Sequence, residues 1–428
     1  MNFNRRSTAK APGMLYARAL SLRGLVYDII GNTDKAISDL ELSLQICRKQ
    51  NIRDRSLTAK ISFDLANIFD RGKRNHVEAL KLLGRGFRYI GSRKDPKLFA
   101  YGLHVLSTIE WERGEYDKAL EHSRKARDIF IRTGDKINLG IAYNITGLIY
   151  WNKRKYGLAL KYLEKRLKNS EELKDRMGTA IANTNIGIIC RTVGELPEAL
   201  KYYMKAKDTF KAVNYRMGLA SIEGNIGQTY FNLGKLKTAE ESFKRCLSIS
   251  EQVGYRIGAG FAHFSMGMIY LHRDMPGKAA GLLIMAEESF SSCGAEAHLP
   301  VVYAALSEAF HAADDKMKAE EYLKKAGILL AKYGNEEAEI VYLRCKAKLR
   351  RNAPEKIAVG CLKKAVSVAG KMRNRFEFGI TLYELASALR VFRPAEAKRY
   401  AGKAEDAFLA MDSRFWLKKT RELLKTMK

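Results

Sequence analysis

The sequence predicts an all-α chain: a right-handed superhelical α-solenoid of about ten helix-turn-helix repeats with a C-terminal capping helix. Three observations predict it. Seven alanines, Ala79, Ala119, Ala159, Ala199, Ala239, Ala279 and Ala319, stand 40 residues apart in strict register. Only 7 prolines punctuate 428 residues, too few for the many turns of a sandwich or barrel. Each 40-residue unit holds two stretches with apolar residues at helical spacing, separated by a short breaker.

Ala36 precedes the run by 43 residues, and Ala358 and Ala397 continue it with steps of 39, which makes ten units. In the fourth unit Ile141, Ile145, Leu148 and Ile149 mark a first helix. Lys153–Tyr156 break it, and Tyr156, Ala159, Leu160, Leu163 and Leu167 mark a second. Small residues keep the same register. Gly24, Gly147, Gly187, Gly227 and Gly267 stand twelve before the alanine, where two helix backbones approach closely. Gly86, Ala126, Ala206, Cys246, Ala286, Ala326, Ala365 and Ala404 stand seven after it. Tyr27, Tyr150, Tyr230 and Tyr270 stand nine before and fill the gap beside the small pair, while Gly114, Gly194 and Gly234 mark the turn. One such hairpin cannot bury its apolar faces alone, so the units must stack.

The array is expected over residues 13–410. Residues 1–12 read as a disordered tail, and residues 413–428 as a capping helix opened by Ser413 and carrying Phe415, Trp416, Leu423 and Leu424. No stretch of 18 uncharged apolar residues exists, so no membrane span is expected. The basic start lacks the apolar core of an export signal, and the six cysteines lack any C-x-x-C pair. Both features point to reduced, mostly buried thiols and a cytoplasmic setting. The chain carries none of the phosphate-binding, zinc-protease or nucleophile-elbow motifs, and its seven histidines stand singly, so no enzyme activity, metal or cofactor is expected. Asp314-Asp315 reads as turn chemistry rather than an acid–base pair.

The pattern Asn225, Gly227, Tyr230, Gly234, Ala239 resembles the tetratricopeptide repeat, in a variant longer than the common 34-residue unit. It is similar to the arrays of Pins-type scaffolds, kinesin light chains and the sensor regions of bacterial regulators. The resemblance spans about residues 16–410. It departs where Arg74 replaces the turn glycine and where Lys346 and Leu385 replace the helix glycine. It implies that the first helices line a concave groove that takes an extended or helical peptide. The lining columns then hold Trp111, Trp151, Arg191 and Phe231 eight before the alanine and Gln228 and Met268 eleven before. Asn152 and Asn232 stand seven before, and Asn185 and Asn225 fourteen before. The aromatics suit a partner's apolar side chains, and an asparagine amide suits a peptide backbone.

Lys plus Arg number 76 and Asp plus Glu 47, a net charge of +29. Two basic columns carry much of this. Arg85, Lys125, Lys165, Lys205, Arg245, Lys325, Lys364 and Lys403 stand six after the alanine, on the outer face of the second helices. Lys136, Arg176, Arg216 and Arg256 stand seventeen after, where a following helix start disfavours cations, so they are candidate contacts for an acidic partner. The expected function is a non-enzymatic scaffold or adaptor for a protein or peptide partner. One alternative is a bacterial sensor array gating a kinase, ATPase or transcriptional partner. The other is an anion or nucleic-acid binder using the outer stripe. The near-neutral charge of residues 251–350, with 12 basic and 13 acidic groups, argues against a continuous nucleic-acid track.

Overall fold

The computed structural model describes residues 10–29, 32–50, 54–73, 75–92, 94–334, 336–350 and 355–427. Among them are twenty-one α-helices, one 3-10 turn at Glu296–His298 and no strand. They divide into two compact units, at residue 175.

The first unit holds four hairpins: α1 (Lys10–Ile29) with α2 (Thr33–Lys49), α3 (Arg55–Lys73) with α4 (His76–Tyr89), α5 (Pro96–Glu112) with α6 (Tyr116–Thr133), and α7 (Lys136–Asn152) with α8 (Tyr156–Glu172). The tail expected over residues 1–12 lies outside the described residues up to residue 9. Residues 10–12 are already helical, a correction to the tail boundary.

The second unit holds six hairpins and a last helix. The hairpins are α9 (Arg176–Val193) with α10 (Leu196–Ala212), α11 (Arg216–Asn232) with α12 (Leu236–Gln252), α13 (Arg256–His272) with α14 (Pro276–Ser292), α15 (Leu299–Ala312) with α16 (Lys316–Tyr333), α17 (Glu336–Leu349) with α18 (Glu355–Met372), and α19 (Arg375–Leu389) with α20 (Pro394–Ala410). The last helix is α21 (Arg414–Lys425). Within each unit the second helix of a hairpin packs on the first helix of the next.

The small columns explain the close packing. All ten repeat alanines are buried. A Cβ on Gly187 would come within 2.6 Å of the Tyr203 ring, and one on Gly227 within 2.7 Å of the Phe243 ring. Tyr150 of the tyrosine column stacks on Tyr162 of its partner helix, with 5.5 Å between centroids. Helix starts are capped by side chains: Asn32, Asn75, Asp95, Asp135, Asp315 and Asn374 each accept a main-chain N–H from the first turn. Asp314 takes a left-handed backbone, φ +62°, and Asp315 caps α16, so this pair does turn work. Gly114, Gly194 and Gly234 are left-handed at the same turn, as are Arg154 and Asp274 in repeats that lack the glycine.

Candidate ligand-binding surfaces

In the first unit α5 and α7 stand side by side. His104, Thr108 and Trp111 on α5 follow a helical stripe, and Asn144, Leu148 and Trp151 repeat it on α7. All six are half-buried. Trp111 Nε1 donates to Asn152 Oδ1 at 2.9 Å, and Asn152 Nδ2 donates to the Tyr116 hydroxyl at 3.4 Å. Asn152 is exposed. Its amide is therefore oriented by two partners while one N–H and one lone pair are left over for a ligand. His104 sits beside this surface with a buried Nδ1, and burial pulls its pKa down to about 4.

In the second unit Asn185 and Arg191 lie on α9, Asn225 and Gln228 on α11, and Met268 on α13, all half-buried. Gln228 Nε2 donates to Asn232 Oδ1 at 3.0 Å. Two residues expected to line an open groove do not. Phe231 is only 7% exposed, and Asn232 is buried. The reason is the far end of the same unit. Phe231 packs against Phe376 of α19 and Trp416 of α21, with centroids 5.9 and 6.4 Å away, and against His272 at 5.4 Å. The Ser413 hydroxyl donates to the main-chain oxygen of Asn232. Phe415 fills the space beside Gly234, and Met411 that beside Gly194. The C-terminal helix thus does more than cap the last hairpin: it covers the α11 surface 181 residues earlier in the chain.

The inner faces of α15, α17 and α19 carry a charge network. Lys348 Nζ lies 2.6 Å from Glu308 and 3.1 Å from Glu384. Arg344 donates to Glu384 through Nε and Nη2, at 3.0 and 2.9 Å, and to Glu377 through Nη1 at 3.0 Å. The two cations hold the Glu384 carboxyl down at about 2, against a burial that alone would raise it. Of this network Glu308, eleven before Ala319, and Arg344, fourteen before Ala358, stand in groove columns. The signal for the rest was the forty-residue spacing of Glu308 from Lys348 and of Arg344 from Glu384, which places opposite charges on neighbouring first helices.

Half of the outer basic column is neutralised within the chain. Lys125 pairs with Glu121, Arg245 with Glu223, Lys325 with Glu321 and Lys364 with Glu339. Lys165 lies over the Tyr143 and Tyr162 rings. Of the inter-repeat column, Lys136, Arg176 and Arg256 are exposed, while Arg216 bonds the Gln252 side chain of its own hairpin. Among the described residues one cluster offers metal-ligand atoms within 4.8 Å of one another: Asp70, His76 and Glu112. Asp70 already accepts from or shares a proton with His76 Nδ1 at 2.6 Å, so the cluster is a buried acid–imidazole pair with a third acid at its rim.

A tetratricopeptide repeat model matches residues 99–172 and 178–252, and a second tetratricopeptide repeat model matches residues 17–50. These segments are tetratricopeptide repeats. No curated protein matches it. Among solved structures the array is similar to a Rap protein complexed with competence and sporulation factor, at 14% identity over 91% of this chain and 99% of that one, with a TM-score of 0.59. It is similar to the apo form of the quorum sensor NprR from B. thuringiensis, at 15% identity over 95% and 100%, TM-score 0.52. It is also similar to aspartyl phosphate phosphatase F from Bacillus subtilis, at 18% identity over 68% and 74%, TM-score 0.51. At these identities the likeness is one of fold.

Proposed function

We propose that this tetratricopeptide array is a non-enzymatic interaction protein that takes up a peptide or protein segment on the surface of its first helices. The carrying observation is the α5–α7 surface. Two half-buried tryptophans, Trp111 and Trp151, stand beside an exposed asparagine whose amide is already oriented. Aromatic anchors supply apolar area, and a fixed amide pairs with a main chain whatever its side chains are. In the second unit Asn185 and Asn225, forty apart on successive first helices, support the same use. Lys136, Arg176 and Arg256 stand exposed and favour a partner with acidic groups.

The likeness to a Rap protein bound to a signalling factor and to a quorum sensor supports a regulatory use of that binding: a peptide-responsive array acting on a further protein. Peptides selected from a displayed random library against the full chain test the reading. Binding of the selected peptides should weaken about tenfold or more, roughly 1.4 kcal/mol, in Trp151→Ala or Asn152→Ala. Peptides that bind both variants as well as wild type place the ligand elsewhere. Faster loss of phosphate from an aspartyl-phosphorylated protein in the presence of the chain would overturn the non-enzymatic part.

A further inference from the structure

Arg48, Arg85 and Arg88 line one recess of about 470 Å³ in the first unit, together with Tyr89. Arg48 comes from the last turn of α2. Arg85, Arg88 and Tyr89 come from α4 at i, i+3 and i+4, one face of that helix. The three guanidinium groups have no ion pair and no side-chain hydrogen bond among the described residues. The adjoining sequence outside those residues, Asn51, Ile52, Arg53 and Arg93, contains no carboxylate. In the outer column to which Arg85 belongs, Lys125, Arg245, Lys325 and Lys364 each hold a carboxylate within 3.0 Å.

Cations at helix C-termini are favourable, and the recess lies at the ends of α2 and α4. That accounts for one cation per helix end. It does not account for three converging on one recess, where they repel one another unless an anion lies between them.

We propose that this recess binds a small ligand bearing clustered phosphoryl oxygens, a diphosphate group or its equivalent. Guanidinium forks meet such oxygens two at a time, which a lone phosphate satisfies less fully than a pair. The Tyr89 ring, 37% exposed at the rim, offers a stacking face if the diphosphate carries a base. The site lies on second helices, away from the peptide surface on α5 and α7, so it stands or falls independently of that reading.

Calorimetric titration of the full chain at low salt, with inorganic pyrophosphate and with adenosine diphosphate, tests it. Saturable one-to-one binding is expected, weakened about tenfold or more in Arg85→Ala/Arg88→Ala. Arg85→Lys/Arg88→Lys keeps the charge but loses the forks and should also bind less tightly than wild type. Tyr89→Ala distinguishes the ligand sources: a loss confined to adenosine diphosphate indicates a nucleotide, and no loss a free diphosphate. Should the arginine double variant lose its helical circular dichroism, Arg48→Ala on the other helix replaces it. Absence of saturable binding overturns the site. So does a lysine variant that binds like wild type, or a single-stranded oligonucleotide that binds when neither small probe does.

Discussion

His104 in α5 and His272 at the end of α13 are both neutral in the fold, for the same reason: burial removes the water that would solvate an imidazolium. Their pKa values fall from 6.5 to about 4 and about 3, and at His272 the nearby Lys348, Arg344 and Lys419 add to the effect of burial. The unfolded chain therefore binds more protons than the folded one below pH 6.5, so stability rises with pH across that window. Melting temperature should fall as pH drops from about 6.5 toward 4, and His104→Phe should remove part of that fall. A profile flat over this range would mean that neither ring is sequestered. The small columns make a second prediction at this scale. Gly227→Leu and Ala199→Leu should each overpack a helix pair and cost about 1–3 kcal/mol, read as a lower denaturation midpoint. Gly227 abuts the Phe243 ring and Ala199 is fully buried, so unchanged midpoints would contradict the packing.

Among the helices, α21 departs most from its sequence reading. Its spacing of Phe415, Trp416, Leu423 and Leu424 predicted an amphipathic cap, and the helix is there. What its apolar face meets is not written in local spacing. Trp416 is 2% exposed among Phe231, His272, Phe376 and Phe408. Trp416→Ala should cost about 3–5 kcal/mol and free the α11 surface, measured by denaturation and by faster cleavage between α20 and α21. Unaltered cleavage with normal stability would show that the helix is held by other contacts. In α17, Arg344 is nearly buried with two carboxylates on α19. Arg344→Ala leaves Glu377 and Glu384 without their main counter-charge and should cost about 3–5 kcal/mol, read the same way. The fold should regain stability when both glutamates are also made glutamine, because the stranded charges are then gone.

For the molecule as a whole, the forty-residue register is a statement about stacking. Each hairpin has apolar residues on two faces, so within each unit its neighbours in sequence are also its neighbours in space. That made the ten hairpins legible from Ala36 to Ala397, even in the units where the turn or helix glycine is missing. The ligand surface was less legible. Trp111 lies on α5 and Trp151 and Asn152 on the adjoining α7, since inter-repeat geometry carries a column from one repeat to the next. The columns fail at Phe231 and Asn232, because the column rule treats the first-helix face as open in every repeat. At those two positions another part of the same unit lies on it.

The sequence by itself determined the helices, their pairing and the small residues at their contacts, all of which depend on residues within about forty positions of one another. Only the tertiary structure decided that α19 packs back against α9, that Ser413 and Trp416 cover α11, and that Arg48, Arg85 and Arg88 share a recess. Local periodicity measures which side of a helix is apolar. Contact between residues 181 positions apart depends on the small angle between successive hairpins added over many repeats, and no single repeat encodes that sum.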